Sequence, residues 1–547
     1  MTSDDTTQAD EVSIPSYVTK NSIAPFIKTY FKRNSLTKPL STDDFDNMYE
    51  DLVTEKKAHY LAENPRAKQL PEAAKDLNFS EVAVIIMALF QFRNIRLSTL
   101  SKQYVLGVYI EEPHERAGIY STDKDTIKRL IEPFAPHFKD KDFDETMKKI
   151  ERNVPLVDRT TDKDLVPVQN GVFNKADEVL EDFSPDYIFT NKIPHAYVED
   201  RQNPVITMPD GETWNVDDWL TSLMAQDDEI KLLWEVIADT LQPNYTRRKS
   251  IWFYSKKGNN GKGTFGQLIK NLLGVGNYSS LSVADFKHEF LKEQLIDVSA
   301  NISDENDVNL YIDSVRDYKA SITGDDILVN RKNEKAVSIK FYGTNLQMLN
   351  GLPKTSDRSG SLYRRLVIVP FLVSFTENGE RPYIKDDYIH REEVLEYVLK
   401  KALHMNFDEF TIPSSSKRLL EEYKETNSPV LQFWAEFKEE FQWQLLPTQF
   451  LYDLYLEWFS QVNPRGKPLS RQTFMDELIP IAEEDGYQNK TKQKDKVRTS
   501  NRMDADEPLI TDWNLTGWMN PAHQGKQSAK LMRDFNRKKT YRGLLKE

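Results

Sequence analysis

Residues 248–273 read RKSIWFYSKKGNNGKGTFGQLIKNLL, and the reading of the fold turns on them. The first eight are rich in β-branched and aromatic side chains and stop abruptly, which predicts a buried strand over 248–255. A turn-forming run follows, containing Gly258, Asn259, Asn260, Gly261, Lys262, Gly263 and Thr264. Residues 265–273 then carry apolar side chains at helical spacing. A strand, a glycine-rich loop, a lysine and a helix start together make a phosphate cradle. Glycines let backbone N–H groups converge on anionic oxygens, the helix start adds its positive dipole end, and Lys262 reaches the terminal phosphates. The run departs from the usual G-x-x-x-x-G-K-[ST] spacing at two places. Lys256 stands where a glycine is expected, and Gly263 where a hydroxyl is expected. Gly258 is expected to make the turn instead, and Thr264 or a water to replace the hydroxyl on Mg²⁺. The competing reading is a glycine-rich surface turn.

A nucleotide site also needs acidic groups at a strand end. Residues 295–306, LIDVSANISDEN, alternate apolar side chains and lead into Asp304 and Glu305. Asp304 is assigned to Mg²⁺ and Glu305 to the general base that activates water. Residues 338–345, SIKFYGTN, read as one strand ending in Asn345, a candidate sensor of the γ-phosphate; such an amide also serves as a turn former. In 357–371, DRSGSLYRRLVIVPF, Arg364 and Arg365 precede a buried strand. Adjacent arginines there are costly unless they meet anions. An arginine finger reaching a neighbouring subunit's nucleotide answers that cost, with Arg365 ahead of Arg364 and Arg358. A surface salt bridge is the alternative.

In this order, GNNGKGTF, ISDEN, KASITGDD (319–326), FYGTN and DRSGSLYRRLVIVPF, the chain resembles the superfamily 3 helicases of the phage and plasmid primase-helicase group, related to the poxvirus D5 type. It looks especially like the replication initiator-helicases of staphylococcal pathogenicity islands and cassette elements. Residues 165–199 are similar to the D5 N-terminal module, and 448–487 to the winged-helix domain that follows such motors. The resemblance implies an α/β fold with an AAA+ P-loop core, a D5-like α+β N-terminal region and a C-terminal winged-helix domain. It implies a hexameric ring that hydrolyses ATP with Mg²⁺ at subunit interfaces and translocates on single-stranded DNA. A hairpin before the sensor strand would enter the channel; here that is 328–337, where Arg331, Lys332 and Lys335 flank a turn at Asn333. An ordinary solvated hairpin is the alternative. Lys319 is a further candidate for nucleotide or DNA contact.

The organisation expected is a disordered tail (1–20), a helical N-terminal domain (21–104), a D5-N-like α+β module (105–204), the AAA+ domain (205–412) and a winged-helix DNA-binding domain with a basic tail (413–547). Residues 78–94 read as an apolar helix with Ser80 as N-cap. Lys28, Lys32 and Arg33 form a basic cluster, either a solvated helix face or a DNA contact. The net charge of −13 argues against wrapping nucleic acid over the whole surface but leaves local patches free to bind it. Two such patches are 488–502, with six basic residues against one acidic, and 526–546, with eight against one. The first would lie on the wing of a winged helix.

The absence of cysteine removes disulfides, thiol catalysis and cysteine-bound zinc, and fits a reducing cytoplasm. No apolar run reaches membrane-spanning length, and residues 1–21 lack the features of a signal peptide. Expected partners are single-stranded and origin double-stranded DNA, copies of the same chain and a separate primase. The only early acidic cluster, Asp43, Asp44 and Asp46, lacks the surroundings of a primase site. The leading reading is an ATP-dependent helicase and replication initiator. The alternative is an origin-binding protein that uses ATP only to assemble.

Overall fold

The computed structural model describes residues 12–18, 23–34, 36, 38, 40–98, 104–242, 244–304, 311–312, 315–331, 336–355, 360–375, 380–464, 467–519 and 538–546. Its contacts divide the chain into two compact units. One is Met1–Asp357 with Arg364–Lys417, and the other Arg358–Tyr363 with Arg418–Glu547.

In the first unit, the apolar stretch near residue 80 forms the helix Phe79–Leu89, buried on nearly every side. Its N-cap is Asn78, not Ser80: the Asn78 side chain accepts from the Ser80 and Glu81 amides while Glu81 reaches back to the Asn78 amide. Asparagine followed three residues later by glutamate is a capping box. The helix packs on a four-stranded sheet, ordered Tyr120–Ser121, Tyr104–Tyr109, Phe92–Arg96, Leu156–Asp158. Phe92–Arg96 and Tyr104–Tyr109 are antiparallel partners. The expected boundary at 104/105 would cut that pair apart, and one apolar core joins Ile85 and Leu89 to Leu106, Val108 and Ile150. Helices and sheet here are one module. Val12 and Val18 are buried in the same core, which corrects the reading of 1–20 as a disordered tail for residues 12–18. The acidic cluster is explained by a helix start: Ser41 and Asp44 cap the helix Thr42–Glu63 reciprocally. A three-stranded meander follows, Leu165–Val168, Gly171–Asn174 and Val179–Glu181.

The central part of this unit holds the quoted stretch. We label its elements α1 (Val216–Leu223), β1 (Ser250–Tyr254), α2 (Lys262–Leu273), β2 (Tyr278–Ser279), β3 (Ala300–Ser303), α3 (Arg316–Thr323), β4 (Asp326–Val329), β5 (Val337–Lys340), β6 (Thr344–Leu349), β7 (Leu366–Pro370) and α4 (Pro382–Asp386). Five strands form a wholly parallel sheet in the order β2-β3-β6-β1-β7. Parallel strands covered on both faces read as continuous apolar runs, as IWF and LVIV do here. The single strand expected over 338–345 is two. β5 pairs with β4 as a separate antiparallel hairpin, and β6 begins only at Thr344. The break lies at Gly343, where an added Cβ would come within 2.3 Å of the Ser299 carbonyl oxygen.

In the second unit, the helices Pro429–Phe437, Thr448–Val462 and Arg471–Glu484 surround a core rich in aromatic residues, including Phe433, Trp434, Tyr455 and Phe474. The antiparallel sheet Leu445–Pro447, Gly543–Lys546, Tyr487–Lys490 covers it. The end of the expected basic tail is therefore the central strand of this sheet, with Leu544 fully buried. Among the described residues no helix is long and apolar enough to cross a membrane.

Candidate functional site

In an open parallel sheet, ligands lie beyond the carboxyl ends of the strands, where the chain's direction of progress across the sheet reverses. Here that point is at β1, which has β6 on one side and β7 on the other. The loop 255–261 leaves the carboxyl end of β1 and feeds α2. Its turn is made by Asn259 (φ 54°) and Gly261 (φ 78°); Gly258, expected to make it, does not have a positive φ. Gly261 has no alternative: besides its left-handed backbone, a Cβ there would meet Leu223 at 2.3 Å. Asn260 holds the loop's shape, donating to the Lys257 carbonyl (2.6 Å) and accepting from the Lys262 amide (3.1 Å).

The helix begins at Lys262, three residues before its expected start, and no side chain caps it. Asn260 takes the Lys262 amide, which leaves the next amides of the first turn for an anion to meet. Gly263 and Thr264 line a cavity of about 810 Å³ together with Asn259, Asn260 and Gly261. A Cβ on Gly263 would meet nothing within 4 Å, so crowding does not explain the missing hydroxyl.

Lys262 is buried, and its Nζ donates to the Leu349 carbonyl (2.7 Å) and Asn350 Oδ1 (2.8 Å). Burial pushes its ammonium down to about 8. A lysine held this way beside an uncapped helix start is poised to exchange two neutral acceptors for an anion. Asp304 follows β3 directly and forms an ion pair with Lys270, one helical turn beyond Gly266. At Gly266 an added Cβ would collide with Met348 of β6, so glycine lets α2 lie close to the strand ends. Asp304 is half exposed. Glu305 lies outside the described residues.

Asn345 is not at this end. It is the second residue of β6, in register with Ser250 at the start of β1. Five residues at about 3.3 Å each put it roughly 16 Å from the loop. It is fully buried, donating to Ser321 Oγ (3.2 Å) and accepting from Asn301 Nδ2 (3.4 Å). The sensor assignment is corrected accordingly: the amide at the carboxyl end of β6 is Asn350. The signal was present in the sequence, since 344–350 reads TNLQMLN, with an amide at its second and its last position. Reading the strand as ending at 345 hid it.

Arg364 and Arg365 also lie at the far end of the sheet. The Arg365 carbonyl accepts from the Ser250 amide (2.8 Å), and that of Arg364 from Lys249 Nζ (2.6 Å). Arg364 is exposed and Arg365 half-buried. Neither can reach the loop of its own chain; Arg358 lies outside the described residues. The β4–β5 hairpin carries Arg331, whose Nε is 3.0 Å from Glu293 Oε1, and Asn330, which donates to Glu289 Oε2 (2.8 Å). Lys332 and Lys335 lie outside the described residues. Lys319 sits on α3, partly buried.

Fold and site together define a parallel α/β core with a glycine-rich loop at a helix start. Comparisons with known proteins add three partial matches. The D5 N terminal like family model matches residues 44–225, a family of unknown function (DUF5906) matches 253–365, and the Poxvirus D5 protein-like family model matches 425–514. D5-like segments thus flank the loop-bearing sheet on both sides, and the first is wider than the expected 105–204. Among solved structures, the A form apo structure of the NrS-1 C-terminal region is 13% identical, with 84% of this chain and 93% of that one covered and a TM-score of 0.42. A second apo structure of that region is 14% identical, with 77% and 96% covered and a TM-score of 0.42. No curated protein matches the chain.

Proposed function

We propose that the chain is an ATP-dependent DNA helicase of the D5-like replication proteins, with a superfamily 3 AAA+ core that works as a ring. The observation that carries this reading is the convergence at the carboxyl ends of β1, β3 and β6. There the start of α2 puts Gly263 and Thr264 on a cavity, Asn350 holds the buried Lys262, and Asp304 pairs with Lys270 of the same helix. Lys262 would pair with the β- and γ-phosphates, and the Gly263 and Thr264 amides would donate to phosphate oxygens. Asp304 and Thr264 would hold Mg²⁺, which neutralises phosphate charge when bound. Asp304 must then leave Lys270. Glu305 is the proposed base, and Asn350 takes the sensor role. Arg365, with Arg364 behind it, would act on a neighbouring copy, consistent with its distance from the loop of its own chain. A hexamer is the proposed assembly.

Arg331, Lys332 and Lys335 on the hairpin are the proposed contacts to single-stranded DNA, and the helices and sheet of the second unit the proposed winged helix for origin duplex. The Arg331–Glu293 pair would be exchanged for a phosphate contact. Purified protein should hydrolyse ATP, more so with single-stranded DNA, and displace a strand from a forked duplex. ATP-stimulated DNA binding with no displacement would favour the assembly-protein reading, which Gly263 keeps in play. A monomer without turnover would defeat both.

A further inference from the structure

The cavity beside the loop is larger than three phosphates require, and its far side has a different chemistry. Besides the loop, Phe375 and Tyr383 line it, with the mostly buried Trp214 and Trp219 of the α1 region. Asp210, Asp218 and Glu380 also line it, against the cations Arg381 and Lys385. Arg381 is already engaged, with Nη2 3.1 Å from Asp210 and 2.6 Å from Glu212. The carboxylates therefore outweigh the cations among these residues, while Gly263 and Thr264 bring the start of α2 to the same cavity.

This far side is fixed to the loop. The Phe375 amide donates to the Asn259 carbonyl (2.7 Å), and the Asn259 side chain donates to Glu380. Tyr383 is set by Tyr388, 5.3 Å away between ring centroids, and by its hydroxyl 3.8 Å from Met208 Sδ. Asp218 Oδ2 accepts from Asn215 Nδ2 (2.6 Å), which leaves the exposed carboxylate with acceptor capacity to spare.

We infer that this side is a nucleoside subsite: the base lies against Tyr383 and Phe375, and the ribose hydroxyls donate to Asp218. Resting on the nucleotide reading above, this adds how the ligand is oriented and which ligands are refused. Flat rings bind aromatic walls through both burial and stacking. The helix start suits the anionic end of a ligand, and the aromatic side chains suit its flat, uncharged end. The same carboxylates repel a nucleotide bearing a further phosphate on its ribose.

The test is titration calorimetry of the full chain with Mg²⁺ and three probes: ATP, ADP and inorganic tripolyphosphate. ATP should bind at least tenfold more tightly than tripolyphosphate. Asp218→Asn and Tyr383→Leu should each weaken ATP and ADP several-fold and leave tripolyphosphate unchanged. Asp218→Asn changes an exposed group, so it remains informative if Tyr383→Leu disturbs folding. Equal affinity for ATP and tripolyphosphate in the unmutated protein, or variants that shift both probes alike, overturns the subsite while sparing the phosphate site. Binding of no probe overturns the nucleotide reading itself.

Discussion

The two ends of the parallel sheet carry similar side chains under opposite conditions. At the amino ends of the strands, Asn345 and Asn301 bond to each other, Asn345 also to Ser321, and Ser250 and Trp252 both meet the Tyr318 hydroxyl (2.6 and 2.9 Å). All are buried, with polar atoms satisfied from within. At the carboxyl ends, Asn350 is exposed, Lys262 is buried against two neutral acceptors, and Gly263 and Thr264 at the start of α2 line a cavity. A buried polar group that is internally satisfied holds a fold together. One held by replaceable neutral acceptors beside open space can take a ligand. Asparagine is structural at one end and a candidate for chemistry at the other.

Three experiments press on that contrast. The largest effect is expected from Lys262→Ala, which should weaken ATP binding by at least about a hundredfold, since a buried charge-assisted contact is lost. Calorimetry reads it, and retained affinity would mean the loop is only a turn. Next, Asn350→Ala should lower turnover by about a hundredfold with little change in melting temperature. Asn345→Ala should do the reverse: about 1–3 kcal/mol of stability is lost, because Ser321 Oγ and Asn301 Nδ2 each lose a buried hydrogen bond. A stable, inactive Asn345→Ala protein would restore that residue as the sensor. The smallest effect is on pH. The free-state ammonium of Lys262 is held down at about 8, and a bound triphosphate raises it again. ATP affinity should therefore be at its full value below pH 8 and fall as pH rises through that value, by up to about tenfold per unit. A flat affinity between pH 7 and pH 9 would show that Lys262 stays charged without ligand.

Local chemistry made the quoted stretch legible. Aromatic and β-branched residues before a glycine-rich turn, and apolar residues at helical spacing after it, place strand, loop and helix within a few residues of where they lie. The same holds for Asp304 at the end of β3 and for the hairpin strands on either side of 330–336, which pair Asp326 with Lys340 and Val329 with Val337. These features depend on neighbours in the chain. Other assignments depend on partners far along it. Whether Asn345 opens or closes a strand is decided by pairing with Ser250 and Asn301. Whether residues 12–18 or 543–546 are loose is decided by cores built from segments tens of residues away.

From sequence alone came the strand, glycine-rich loop and helix around Lys262 and the α/β character of the core, because propensity and spacing act over a few residues. Tertiary structure alone decided which asparagine stands beside Lys262, that Arg364 and Arg365 lie at the other end of the sheet, and that aromatic and acidic walls meet the loop in one cavity. Strand register and long-range packing set those distances, and neither is written in local periodicity.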